Sequence, residues 1–323
     1  MKINGLPEVQ SIYKEGLGLQ SNRTAEEPRN PNLKYLLSEI PTEWKPTMIL
    51  IVASNKDIAS LNIKKQILNN YPFNKISKEF KENPVYEATL SDKPVKLVTL
   101  NEESIYAQNI TNFFPNSELI VFISRHSSAS GTPTLSTHPP GNLAEAKLGG
   151  IPRKVSVSPA NAMRHALKAM MRLKEEMQLD YEVTYECTHH GPSLNVPTMF
   201  AELGSSPKQW KDSKAAEAVA HATIETVSNF TNFSAKAVIG IGGPHYNNKF
   251  TRIALKDDLA FGHMIPKYTI PNIDLEILNQ CIEKTLERVE LAVLDWKGIK
   301  GEHKPKLVEM LNKIDMPFKK VKH

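Results

Sequence analysis

The sequence predicts an α/β fold, a largely parallel mixed sheet flanked by helices. Three observations carry this. Short apolar runs recur at 48–52, 95–100, 119–123, 181–185 and 237–241, each the length of a strand buried on both faces. Segments with helical periodicity lie between them, and that alternation is the mark of a parallel sheet. The composition, 40% hydrophobic and 23% charged over 323 residues, is that of a globular chain with enough apolar material for one large domain or two.

Residues 1–47 contain Pro7, Pro28, Pro31, Pro41 and Pro46 and show no sustained apolar period. They are expected to be a poorly structured extension with little core of its own. A single catalytic domain over 48–323, ending in a basic tail, is expected to follow, and a chain starting at Met48 is expected to fold. The run 48–52 reads as the first strand. Asp57 can cap a helix to about residue 69, with Ile58, Leu61, Ile67 and Leu68 inward. Pro159 opens the clearest helix, which places Met163, Ala166, Leu167, Met170, Leu173 and Met177 on one stripe. Further helices are expected over about 213–229, 274–290 and 307–314.

Lysine and arginine number 40 against 35 acids. The excess is uneven. Between 119 and 174 the only acid is Glu145, against eight basic residues that include Arg125, Arg164, Lys168 and Arg172. Such a stretch suits the neutralisation of phosphates, or forms a solvated basic face. Lys168 and Arg172 are expected to meet phosphate, and Lys319 and Lys320 to matter less. Cys187 and Cys281 form no Cys-x-x-Cys pair, which excludes zinc ribbons and redox pairs and fits a reducing compartment. No run approaches the roughly 20 apolar residues of a membrane span, and no signal-peptide core is present. The expected location is the cytoplasm, with no membrane partner.

Six of the ten histidines fall at strand ends or in Gly/Pro-rich segments: His126, His138, His189, His190, His245 and His263. Ligands of open α/β sheets bind beyond the carboxyl ends of strands. A buried strand runs into Ser124-Arg125-His126, followed by hydroxyls and Gly131, a loop suited to a polar substrate. His138 precedes two prolines and reads equally well as a turn histidine. Glu186 stands three residues before the His189-His190-Gly191-Pro192 turn. Both histidines can serve one site only if the backbone turns there. Imidazoles ligate zinc readily, and a carboxylate can complete or orient the set. Gly242 and Gly243, ahead of Pro244-His245, allow close backbone approach and can offer N–H groups to an oxyanion. His263 reads equally as a surface residue, and His165 as exposed. No Gly-x-Ser-x-Gly elbow, His-Glu-x-x-His helix, P-loop or dinucleotide fingerprint occurs.

Taken together, these blocks, with Ser127-Ser128, Gly240-Ile241, Tyr246 and the segment Ser54–Ile63, resemble the zinc-dependent D-aminoacyl-tRNA deacylases of the archaeal and plant type. The resemblance runs from about 48 to about 290. It implies a peptidyl-tRNA hydrolase- and phosphorylase-like fold, one or two zinc ions, and hydrolysis of the ester of D-aminoacyl-tRNA. The expected roles are catalysis for Glu186, His126 and Ser124, and metal binding for His189, His190 and His245. Arg125, Arg164, Lys168, Arg172, Gly242 and Gly243 are expected to bind substrate. A metal would lower the pKa of water to about 7. The expected partner is D-aminoacyl-tRNA, met by a monomer or small homo-oligomer. Two departures stand out: Pro244 replaces a glycine, and Asn247-Asn248-Lys249 replaces Ala-Pro-Arg. The other readings are a peptidyl-tRNA hydrolase-like or other metal-dependent acyl hydrolase, and a non-catalytic RNA-binding protein.

Overall fold

The apolar runs become strands of two sheets in a computed structural model that describes residues 47–321. The expectation of an N-terminal extension over 1–47 therefore lies almost wholly outside the described residues. The larger sheet contains β1 (Met48–Ser54), β2 (Asn74–Phe80), β3 (Asn83–Leu90), β4 (Lys93–Leu100), β5 (Ser117–Arg125), β6 (Thr134–His138), β7 (Glu182–Tyr185) and β8 (Thr198–Gly204). Its order is β2-β3-β4-β1-β5-β8-β6-β7. The centre, β4-β1-β5-β8, is parallel. β3 is antiparallel to both its neighbours. β6 runs antiparallel to β8 but parallel to β7. The second sheet holds β9 (Lys236–Ile241), β10 (Leu259–Ile265), β11 (Val289–Asp295) and β12 (Phe318–Val321). It is all parallel, in the order β10-β9-β11-β12. The expected fold class is borne out.

Three helices cover one face of the larger sheet: α1 (Ile58–Asn70), α2 (Ala160–Glu176) and α3 (Ser213–Ser228). They bury that face with Val121, Ile123, Met199 and Ala201 of the sheet. The α2 stripe is as expected, with Met163, Ala166, Leu167, Met170 and Leu173 buried. The α1 stripe is not. Ala59, Ile63 and Ile67 are buried while Ile58 and Leu61 are exposed. Small Ala59 lets α1 lie close to the alanine-rich face of α3, and that contact selects the stripe.

The other face of β5 and β8 carries Phe122, Ser124, Phe200 and Glu202, because side chains alternate along a strand. Three further helices of nine or ten residues follow, α4 (Asn248–Lys256), α5 (Leu275–Glu283) and α6 (Lys304–Lys313), beside four-residue helices at Ile110–Phe113 and Pro207–Trp210. The helix expected to reach 290 stops at Glu283. Leu286 instead donates its N–H to the Ser158 carbonyl (2.9 Å), and β11 begins at Val289. A tertiary partner for the backbone here outweighs helical continuation.

Candidate active site

Residues of four strand ends and one strand interior converge on the face of the larger sheet turned away from α1, α2 and α3. His126 follows β5, where its N–H bonds the Leu203 carbonyl (3.0 Å) and the preceding Arg125 N–H bonds Asp57 (2.7 Å). Gly204 makes room: a Cβ there would stand 2.8 Å from the Cβ of His126. His138 ends β6, fully buried, with its ring parallel to Phe200 at 5.0 Å. Glu186 follows β7 and is fully buried, and Glu202 lies within β8. His245 arrives from β9 through the Gly242–Gly243 turn, where both residues have positive φ. The strand-end rule thus places most of the site. The ends are not all those of parallel strands, however, because β6 and β7 oppose β8.

The paired histidines share the site because the chain turns at them. His190 has φ 43, a left-handed conformation that a non-glycine residue rarely adopts. Its ring then faces that of His189 at 4.3 Å. Gly191 packs so tightly on Gly150 that a Cβ there would lie 2.2 Å from the Gly150 nitrogen.

Glu186 Oε2 accepts hydrogen bonds from His245 Nε2 (2.8 Å) and His126 Nδ1 (3.0 Å). Its Oε1 has no partner. Glu202 accepts from the Ser124 hydroxyl (2.6 Å) and lies 3.5 Å from His126 Nδ1. Burial opposes charge on His126, but its bonds to Glu186 and Glu202 prevail and push its pKa up to about 10. His245 is half-buried, and against the cost of partial withdrawal from water Cys187 and Glu186 push it up to about 10. Burial and the adjacent Glu186 charge oppose ionisation of Glu202, but His126 and His138 hold it down to about 2. Withdrawal from water and neighbouring His138 hold His189 well below the ordinary range and His190 down to about 4.

These residues fit a metal ion. The Nδ1 atoms of His138, His189 and His190 face the carbonyls of Pro139 (3.3 Å), Cys187 (2.8 Å) and Gly191 (2.7 Å). In His189 and His190, whose imidazoles are held neutral, Nδ1 therefore carries the proton and Nε2 is left as a lone pair. Ligand atoms of these three histidines lie within 4.8 Å of one another. His138 Nε2 lies 3.7 Å from Glu202, and the lone pair of His189 faces Glu186 at 3.7 Å. At His189 acceptor meets acceptor in a buried site, which a shared cation resolves. A second compatible set, Cys187, His189 and His245, overlaps the first.

A cavity of about 500 Å³, lined by His126, His189, His190, Glu202 and His245, opens at this cluster, with Ser124 and Arg125 in its wall. A smaller one of about 180 Å³ meets it from the other side of His189 and His190, beneath Tyr268. Arg125 sits at the rim, tied to Glu103 (3.0 Å). Tyr246 hydrogen-bonds His126 Nε2. Gly242 shapes the turn but offers no free N–H, since it donates to the Ile265 carbonyl (2.8 Å). Gly243 closes on Asn247, whose side chain caps α4, and Lys249 pairs with Asp295. The departure at 247–249 therefore builds a helix start.

Several expectations part from the structure. His263 is a fully buried residue of β10, bonded to Thr188 (3.0 Å) and Ser156 (3.1 Å). His165 is half-buried, its ring stacked on Phe233 at 4.5 Å. Arg164, Lys168 and Arg172 line a separate groove on α2, which covers the opposite face of the sheet. Arg164 is bonded to the carbonyls of Ala254 and Asp257, and Arg172 to Glu176 and Glu225. Arg153 is paired with Asp274 and Glu276. Arg125, Arg153, Lys154, Arg164 and Arg172 of the basic stretch each pair with an acid outside it, whereas Lys168 and Lys174 have no salt bridge among the described residues. His138 had an even alternative in sequence, and Glu202 had none of the marks sought. The one available signal for Glu202 is an acid inside the apolar segment Thr-Met-Phe-Ala-Glu-Leu-Gly.

A family model described as D-aminoacyl-tRNA deacylase matches residues 113–319. The chain belongs to that family. The resemblance read from the histidine and glycine blocks is borne out. Relatives named D-aminoacyl-tRNA deacylase include that of Thermococcus kodakarensis, 38% identical over 277 residues, covering 84% of this chain and 99% of the relative. That of Pyrococcus abyssi is 37% identical over 279 residues, with the same coverage. That of Methanosarcina barkeri is 34% identical over 298 residues, covering 90% and 94%. Among solved structures, the conserved protein of unknown function AF0625 superposes with a TM-score of 0.77 at 29% identity, over 85% of this chain and 95% of that one. Among the described residues no helix is long and apolar enough to cross a membrane.

Proposed function

We propose that this chain hydrolyses the ester joining a D-amino acid to the terminal ribose of tRNA, in the cytoplasm, with a zinc ion at the histidine cluster. The observation that carries the metal reading is the set of bare Nε2 atoms on His138, His189 and His190 beside two buried carboxylates. An all-histidine set with a neighbouring thiol suits zinc. His138, His189 and His190 would hold one ion, and His245 with Cys187 offers donors for the same or a second. When bound, the ion supplies Lewis acidity, which acidifies water and polarises an ester carbonyl.

The remaining chemistry falls to the chain. The uncommitted Oε1 of Glu186 takes a proton from the attacking water. The water oxygen bonds the ester carbon, the bond to the ribosyl oxygen breaks, and His126, charged at neutral pH, returns a proton to that oxygen. Glu202 holds His126 in place, with Ser124 fixing the orientation of Glu202. Arg125, in the wall of the cavity, meets the terminal phosphate. The test is turnover of matched D- and L-aminoacyl-tRNA, with N-blocked peptidyl-tRNA beside them, with and without chelator. Cleavage of the D-ester alone, lost with the chelated metal and restored by zinc, is expected. Full activity in metal-free protein would leave a direct histidine general-base route and end the zinc reading.

A further inference from the structure

If residues 119–174 do not present their charge, phosphates must meet another face. Between Trp296 and Val321 stand seven lysines and three acids, so this short segment carries four of the chain's net +5. Among the described residues its only salt bridges are Lys300–Glu302 (4.0 Å) and His303–Glu302 (3.3 Å). The nearest internal acid, Asp295, is already neutralised by Lys249. Lys304 and Lys320 place their ammonium groups 4.7 and 4.2 Å from the centre of the Trp296 ring. The indole holds both charges in fixed positions without removing them, because cation–π attraction leaves the ammonium protons available. Lys297, the residue after Trp296, is exposed.

This face is continuous with the active site. The turn after β11 lies against the Gly242–Gly243 turn, so closely that a Cβ at Gly298 would stand 2.9 Å from the Gly243 nitrogen. Gly243 in turn accepts the N–H of Lys267 (2.9 Å), whose side chain is exposed. The next residue, Tyr268, lies 3.4 Å from His245 Nδ1 and overhangs the smaller cavity. Lys267 thus stands, by sequence and by backbone contact, between Tyr268 in the wall of the site and the turn that carries Lys297.

We propose that the face formed by Lys297, Lys304 and Lys320 around Trp296, joined to the site by Lys267, binds the sugar–phosphate backbone of the tRNA. The inference rests on the deacylase reading and assigns the surface that holds its substrate. Neutralising a phosphate releases counterions, so each lysine that does so contributes to the salt dependence of the Michaelis constant, whereas a group that only shapes the site does not.

The experiment measures the Michaelis constant for D-aminoacyl-tRNA over a range of salt, with D-aminoacyl-adenosine as a second substrate that has the ester but no backbone. Two variants are compared, Lys267→Ala with Lys297→Ala, and Lys304→Gln with Lys320→Gln, the first changing only exposed side chains. Each is expected to raise the constant for tRNA about three- to tenfold at low salt and to reduce the salt slope by up to about one for each phosphate no longer neutralised. Turnover of D-aminoacyl-adenosine stays at the wild-type level. Lys168→Ala with Arg172→Ala leaves both unchanged. An unaltered slope in both lysine pairs, equal loss on the two substrates, or a larger loss in the Lys168/Arg172 variant would overturn the inference while the deacylase reading stands. A wild-type protein that cleaves neither ester would overturn that reading and this inference with it.

Discussion

Replacing His138 by phenylalanine separates a metal-binding role from a packing role, because the two predict opposite changes. The His138 ring is fully buried and lies parallel to Phe200 at 5.0 Å, and also touches His189 and His190 at 4.2 and 4.9 Å between centroids. Phenylalanine keeps that stack and nearly the same volume. The side chain's polar partners are few: Nδ1 meets the Pro139 carbonyl at 3.3 Å, and Nε2 has no hydrogen-bond partner. A buried polar atom without a partner costs about 1–3 kcal/mol, against about 1 kcal/mol contributed by the long Nδ1 bond. The apo protein should therefore be as stable in the variant as in the wild type, or more stable by about 1 kcal/mol, which raises Tm by about 2–4 °C for a domain of this size. Activity should move the other way. With the Nε2 lone pair gone, bound metal falls below one equivalent by elemental analysis, and single-turnover deacylation drops by about 100-fold or more. Stability comes from denaturant titration of chelated protein. A variant with full metal content and wild-type rate would refute the ligand assignment. A large loss of stability in the apo protein would show instead that the imidazole holds the fold.

Other outcomes follow from local geometry. Gly204→Ala sets a Cβ against His126 and should lower the single-turnover rate at least about tenfold, with a stability loss of about 1–3 kcal/mol. Glu287 accepts the N–H groups of Ala160 (3.0 Å) and Asn161 (2.9 Å) at the start of α2, where Pro159 offers no side-chain cap. Glu287→Ala should cost about 1–2 kcal/mol in denaturant titration and leave saturated turnover unchanged. Burial raises the pKa of Glu287, so the folded state binds its proton more tightly than the unfolded chain does. Its contribution is thus greatest below the ordinary glutamate range and falls as pH rises through the raised value. Glu287→Gln should remove that slope, and an identical pH profile in the variant would count against it. A chain starting at Met48 should fold and retain most deacylase activity. Insolubility of that truncation would assign residues 1–47 to the core or site.

The strands and the chemistry were already written in the order of the amino acids. Five apolar runs became β1, β4, β5, β7 and β9, and those of β1 and β5 carry no polar alternation because both faces of these central strands are covered. The residues His126, Glu186, His189, His190 and His245 were legible because polar side chains that follow directly on buried strands have few structural uses. The company these residues keep came from folding in three dimensions. β6 returns antiparallel to β8, which carries His138 and the remote Glu202 into one cluster with the paired histidines. No local period encodes that pairing, since backbone hydrogen bonds between strands are indifferent to sequence distance. Charge followed the same rule. The sum over residues 119–174 is a property of the chain, but the charge presented to a partner depends on which acids fold against it. Arg153 and Arg172 meet theirs from 121 and 53 residues away. Electrostatic attraction acts through space, and only the fold sets those distances.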